Sequence, residues 1–527
     1  MKRLRFYLAL LLLAALVVAA CAAPASEAPG AGQEAAAPAE EAVSGEPVAG
    51  GTLRAAFQNE WAGLDPHATS SYSSYQILNN VLEGLTFYDD DMNLVPWLAE
   101  SWEQSEDGLT WTFKLREGVK FSNGREMTAE DVKWSFERLI DPETGSGNAA
   151  RVGPPETKIE TIDKYTVAIT HPEPFGIFPQ SLGFDKSTAI MAKESLEDDG
   201  TVKVPIGTGP FQISEVEGTT RLLLTRNENY WQEGLPLLDA IEITPIPDDT
   251  VRETALRGGE VDWILSIAPQ NFDSLVADPN VEVATAPQLS YDYIGINLTK
   301  EPFSDVRVRQ AIAYAIDRQQ LCEAGFFGLC DPIQGPIGKG SPWYFDYAPY
   351  DHDVAKAKEL LAEAGYPDGF TMEWLPTVQY GETVRAAQVL QQQVAEIGIE
   401  STINAPEWSE WLDLEGNFKY DAYICNWNGL IDADQYYYLQ HRTGLVFNFT
   451  GYSNEEFDAL VDEGRSISDF DKRYQIYEKA NKILVDDAPY VYMYNKKEIR
   501  AYAPYVKGFV VRPDQANNFW NVWLDQQ

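Results

Sequence analysis

The sequence predicts an α/β protein of two or three domains, on three observations. Strand-like and helix-like hydrophobic periodicities alternate from Thr52 to the C-terminus. The residues beyond Gly50 exceed the size at which a single hydrophobic core keeps growing. And 14 Trp, 27 Tyr and 23 Phe supply ample material for more than one core.

The N-terminus carries different information. Lys2, Arg3 and Arg5 precede an unbroken apolar run, Phe6 to Ala20, and Val18-Ala19-Ala20 places small residues before Cys21. That anatomy predicts a lipoprotein signal peptide over residues 1–20, with acylation of Cys21. The run falls short of the roughly 20 residues a spanning helix needs, and acyl chains on one cysteine provide stable tethering. Residues 22–50 are mostly Ala, Glu, Pro and Gly without an aromatic residue, too polar to fold. As a coil such a linker holds the body on the order of 30 Å from the membrane. The expected location is the outer face of the cell membrane, periplasmic or extracellular.

The formal charge of −41 disfavours nucleic acid as a partner and otherwise describes a solvated, soluble surface. Cys322 and Cys330 flank a short loop with two glycines in a compartment where disulfides persist, so they are expected to pair. Cys425 is then a lone thiol on a strand, buried as a small apolar residue.

Along the chain, Thr52–Phe57 reads as a strand and Ser73 to Leu85 as a helix with Ile77, Leu78, Val81 and Leu82 on one face. Leu109–Leu115 alternates as a hairpin strand, and Thr128-Ala-Glu-Asp131 opens a helix continued by Val132, Phe136 and Leu139. In the second half, Asp305 caps a helix with Val308, Ala311, Ile312, Ala315 and Ile316 on its apolar side, and Asp353 to Ala364 stops at Gly365. Further helices are predicted at 382–397, 408–414, 454–464 and 471–485, and strands at 399–403, 420–427 and 490–494.

Several segments together resemble the substrate-binding proteins of ABC importers of the peptide and nickel type. They are Leu98-Ala-Glu-Ser-Trp102, Asp107-Gly-Leu-Thr-Trp-Thr-Phe-Lys-Leu-Arg-Glu-Gly-Val-Lys-Phe121, Thr128-Ala-Glu-Asp-Val-Lys-Trp-Ser-Phe-Glu-Arg138, Gly207-Thr-Gly-Pro-Phe211, Arg226-Asn-Glu-Asn-Tyr-Trp231, and Asp305 to Arg318. Each string is ordinary alone; their order and spacing carry the resemblance, which covers Gly51 to Trp523. It implies a two-lobed, periplasmic-binding-protein-like architecture of type II with an extra α/β domain inserted in the first lobe. Carried onto this chain, lobe I comprises 51–91, 203–290 and 497–527, the extra domain 92–202, and lobe II 291–496. Trp102, Trp111 and Trp134 are expected in the core of the extra domain.

The expected ligand region is Trp427-Asn428-Gly429-Leu430-Ile431-Asp432-Ala433-Asp434, a strand end opening into a loop. In the peptide-binding members an Asp three residues after such a Trp pairs with the ligand's ammonium; here that position is Leu430. Asp432 or Asp434 supplies the carboxylate instead, or else caps the helix that begins there; the sequence leaves both open. Tyr72, Tyr75, Gln379 and Tyr380 are further pocket candidates, with packing as the rival role.

No metal, cofactor or catalytic role is expected. The sequence has no His-Glu-x-x-His, no Gly-x-Ser-x-Gly and no phosphate loop, and His67, His171, His352 and His441 are scattered. The expected partners are a peptide or other small polar solute, the permease subunits of an ABC importer and a membrane reached through the lipid; a monomer is expected. An oligosaccharide suits the same aromatic-rich cleft.

Overall fold

A computed structural model describes residues 46–69, 71–184, 186–427, 431–445 and 447–525. Cys21, the signal and most of the linker lie outside the described residues, as do Asn428, Gly429 and Leu430.

One strand organises the molecule. Tyr490–Tyr502 runs 13 residues without a break, about 40 Å at roughly 3.3 Å per residue. Its first part, Tyr490 to Tyr494, pairs antiparallel with Tyr291–Ile296, and Cys330–Pro332 pairs with it as far as Lys496. From Lys497 its partners change to Glu282–Pro287 and Trp263–Ile264. The sequence predicts only the first five residues of this strand, because the period-two pattern dissolves where Lys496, Lys497, Glu498 and Arg500 enter it. In the structure Lys496, Glu498 and Arg500 are buried and each pairs with an opposite charge.

On one side of that strand the sheet continues through Trp263–Ile264, Thr52–Phe57, Ala240–Pro245, Arg221–Arg226 and Phe211–Glu217. Thr52–Phe57 lies parallel to both its neighbours, and a core of Leu53, Phe57, Leu78, Leu224, Ile241, Trp263 and Phe519 packs over it. On the other side it continues through Tyr291–Ile296, Ala422–Trp427, Thr371–Leu375 and Glu400–Ile403. Here both faces are covered: Ile294, Ile312, Leu390 and Trp374 pack on one, while Tyr293, Tyr423, Trp411 and Tyr477 pack on the other. Asp305, Asp317, Asp353, Asn454 and Asp469 each accept a backbone amide at the start of a helix here, the helices at Asp305 and Asp353 being those the sequence places at these residues. A disulfide joins Cys322, on helix Arg318–Phe326, to Cys330, and Cys425 is a free, buried thiol.

Residues 99–170 form a separate antiparallel sheet, ordered Ala99–Gln104, Thr110–Leu115, Thr166–Thr170, Lys158–Asp163. Helix Ala129–Ile140 packs on it behind a capping box of Thr128 and Asp131. Trp111 is buried and its indole N–H donates to Phe175 O at 2.9 Å. Trp102 packs at the edge of that core. Trp134 departs from expectation: it is half-buried and lines a surface groove with Asp65 and Arg138.

The helix predicted to reach Leu85 ends at Leu78. The carbonyls of Asn80 and Val81 accept instead from the amides of Phe211 and Gly209. A Cβ at Gly207 would sit 2.1 Å from Val81 O, so the Gly-Thr-Gly segment runs against this backbone where a helical turn would continue. The same crossing buries Glu83, whose carboxylate accepts from Thr208 Oγ1 (2.6 Å), Trp97 Nε1 (2.8 Å), Trp231 Nε1 (3.0 Å) and Tyr230 OH (3.2 Å). Two of the strings that carried the resemblance, Gly207–Phe211 and Arg226–Trp231, thus converge on one buried acid. Burial raises its pKa and these donors pull against that rise.

Candidate functional site

The cleft is built where strands end. Gln58 follows strand Thr52–Phe57 and Ser266 closely follows its parallel neighbour Trp263–Ile264, so both lie at the carboxyl ends of parallel strands, where open α/β sheets bind ligands. With Tyr72, Gln76, Gln288, Glu498 and Gln515 they line a chamber of about 480 Å³ whose surface is mainly carboxamides and hydroxyls.

A larger cavity, about 760 Å³, adjoins it and shares Tyr72 and Gln515 as walls. One side comes from residues 147–184, with Asn148, Arg151, Phe175 and Phe184; the other comes from Trp427, Asp434, Leu439, Phe447 and Arg465. Asp514 closes it from the C-terminal segment. Both volumes suit small solutes. Gln515 holds φ 64°, a left-handed conformation costly for a residue with a Cβ, at the point where the two cavities meet.

The two sides of the cleft touch. A Cβ on Gly176 would lie 2.8 Å from the backbone of Ile467. Tyr88 and Met92 form an apolar cluster with Leu289 and Ile431.

Of the residues singled out by sequence, Trp427 lines the larger cavity, half-buried, with its ring edge-on to Phe447 at 5.4 Å. Tyr72 lines both cavities and is nearly half exposed; its hydroxyl stands 3.4 Å from Asp514 O. Tyr75 is in the packing role: it is buried, its hydroxyl donates to Thr69 O at 2.6 Å, and it accepts from Asn148 Nδ2 at 3.0 Å. Gln379 and Tyr380 precede helix Gly381–Ala395, Tyr380 edge-on to Trp408, and neither lines the two chambers.

Of the two roles the sequence leaves open for Asp432, the structure shows the cap. It caps helix Ala433–His441, and Arg473 donates to both its oxygens, through Nη1 at 2.8 Å and through Nη2. Both partners are buried, and the Arg473 guanidinium also lies over the Trp343 ring. Sequence reasoning had no access to this pair, since the partners are distant in the chain. Asp434 does reach the larger cavity. Tyr477 OH donates to it at 3.2 Å and Arg465 Nη1 stands 3.6 Å away. Burial pushes its pKa up to about 6, against the pull of Arg465.

His441 is buried with Nε2 3.3 Å from Tyr492 OH, and burial pushes its pKa down to about 3, so the ring is neutral. Among the described residues no three His, Cys, Asp or Glu side chains are grouped to hold a metal, and no helix is long and apolar enough to cross a membrane.

Two α/β halves on a shared strand, with a polar and aromatic cavity between them, define a solute-binding protein of the two-lobed, type II class. The profile of bacterial extracellular solute-binding proteins, family 5, middle region, matches residues 93–445, and the chain belongs to that family. The glutathione-binding protein GsiB of Salmonella paratyphi A is 30% identical over 476 residues, covering 88% of this chain and 93% of that protein. Among solved structures, the DppA protein of Helicobacter pylori in complex with the peptide STSA superposes with a TM-score of 0.74 at 28% identity, covering 91% of this chain and 99% of that one. AgaA of A. tumefaciens R10, in complex with agropinic acid, gives 0.72 at 29% identity, covering 90% and 99%.

Proposed function

We propose that this chain is the lipid-anchored receptor of an ABC importer. It captures a peptide or a similar small polar solute between two lobes and delivers it to the permease without altering it. The observation that carries the reading is the 760 Å³ cavity whose walls come from both sides of the cleft, so that a bound solute touches both. A ligand that bridges the lobes favours the closed arrangement by its differential affinity. The hinge of this reading lies at residues 287–291 and at Lys496–Lys497, where the long strand exchanges its partners. Lobe I is then 51–91, 203–290 and 497–527, with 92–202 as its extra domain and 291–496 as lobe II.

Glutathione and a peptide are what GsiB and DppA bind by their descriptions, and solutes of that size and polarity fit the chambers described. Mass spectrometry of material co-purifying with the protein tests the reading: a stoichiometric small solute is expected. A protein that purifies empty and shows no binding to a peptide digest refutes it. The intact mass of protein extracted from membranes tests the anchor, with acyl chains expected on Cys21.

A further inference from the structure

We propose that the cleft selects its cargo by an anionic group, a carboxylate, held at Arg465, and is indifferent to whether the cargo carries an amino group. This rests on the solute-capture reading above and specifies its substrate class.

An ammonium is held in a cleft by an acid whose charge is otherwise uncompensated. Among the described residues, each acid lining the two chambers has an arginine of the protein beside it. Both oxygens of Asp514 accept from Arg512, through Nε at 3.0 Å and Nη2 at 2.6 Å. Glu498 accepts from Arg500 at one oxygen and from the Gln288 amide at the other. Asp432 is held by Arg473. Asp434 stands beside Arg465. An ammonium entering either chamber loses water and meets Asp514 and Glu498 already hydrogen-bonded to arginines, with Arg465 beside Asp434.

The arginines differ among themselves. The side chains of Arg473, Arg500 and Arg512 are 0%, 2% and 1% exposed, locked with their acids inside the protein. Arg465 is 32% exposed. Its 3.6 Å separation from Asp434 is longer than a hydrogen bond. Its guanidinium lies 4.2 Å over the Tyr438 ring, which fixes the plane without using its N–H donors. It also lines two cavities at once, the 760 Å³ cleft and an adjoining, largely apolar one of about 660 Å³ formed by residues 140–175. A planar donor fork on a cavity wall suits a carboxylate. The smaller chamber, lined by Gln58, Gln76, Gln288, Gln515, Ser71 and Ser266, then takes the uncharged amide or hydroxyl part of the cargo.

The test presents a tryptic digest of casein to the purified protein in three forms: untreated, acetylated at its amines, and methyl-esterified at its carboxylates. Retained peptides are quantified by mass spectrometry. Acetylation is expected to change retention by less than about threefold and esterification to reduce it by about tenfold or more. Arg465→Gln, checked for an unchanged melting temperature, is expected to retain the untreated and esterified pools alike. If acetylation removes retention, or esterification leaves it intact, the inference fails while peptide capture stands. If the untreated digest is not retained at all and the protein also purifies empty, the capture reading fails with it. The comparison of pools on the unaltered protein decides the question even if the variant is poorly folded.

Discussion

Replacing Asp432 by Asn separates two roles that the sequence could not. Asn is as good an N-cap as Asp, so the start of helix Ala433–His441 keeps its side-chain acceptor. What disappears is the charge facing Arg473, whose side chain is 0% exposed and whose Nη1 and Nη2 are aimed at the carboxylate. Its remaining contacts, Nε to Gly464 O at 3.0 Å and the Trp343 and Tyr477 rings at 4.9 and 5.5 Å, carry no formal charge, and Asp434 acts on it without a direct ion pair. Removing one partner of a buried pair costs about 3–5 kcal/mol, because the other charge is left without compensation. With a urea slope near the upper part of the usual ~1–3 kcal/mol/M, the midpoint of the transition reporting on this half falls by about 1 M or more. Adding Arg473→Met removes the orphaned charge and is expected to recover part of the loss, giving a coupling energy in a double-mutant cycle. A D432N protein that unfolds at the wild-type urea concentration but no longer binds cargo would refute this reasoning and return Asp432 to the ligand site.

Four further outcomes are expected. Gly176→Val introduces side-chain atoms against the backbone of Ile467, where even a Cβ stands at 2.8 Å; the lobes should close at a cost of about 1–3 kcal/mol, read by calorimetry as weaker cargo binding with the melting temperature unchanged. Glu415 is buried, and burial pushes its pKa up to about 8, above the unfolded value near 4.3. The folded state therefore binds the proton more tightly and stability falls as pH rises through that window; Glu415→Gln should raise the melting temperature more at pH 8 than at pH 5, and an equal gain at both would contradict it. Cys322→Ser with Cys330→Ser opens a loop closed by a sequence separation of 8 and should cost about 2–3 kcal/mol in chemical denaturation. Glu83→Leu strands donors from Thr208, Trp97, Trp231 and Tyr230 and should cost about 2–4 kcal/mol, whereas Glu83→Gln, which keeps an acceptor, should cost less.

The legible part of the fold is the part fixed by local rules. Asp305 and Asp353 announced their helices because capping is a matter of a few residues, and Trp111, Phe113 and Leu115 announced a strand because alternation is too. The helix after Tyr72 was overrun because Val81 and Leu82 continue an apolar face that is indeed buried, yet their backbone is bonded to Gly209 and Phe211, far along the chain. Within the site, Trp427 was visible as a strand end, and Tyr72 as an aromatic beyond the first strand. Arg465 gave no signal: it is a basic residue in the last turn of helix Glu455–Ser466, a place where arginine needs no functional reason.

The same logic explains why the acids misled. Along Trp427 to Asp434 the sequence shows two carboxylates and no cation, which invites a cationic ligand. In space that deficit is filled by Arg473 and Arg465, which belong to helices Phe470–Asp487 and Glu455–Ser466. Charge balance at a cleft is a three-dimensional sum in which near neighbours in sequence are a biased sample. When the sum is taken over the structure, each of these acids has an arginine beside it, and the Arg465 guanidinium is an accessible group with donors to offer. The cargo preference inferred from the cleft is therefore of the opposite sign to the one its local sequence suggests, and a ligand's carboxylate, rather than its amine, is the group whose removal should weaken binding.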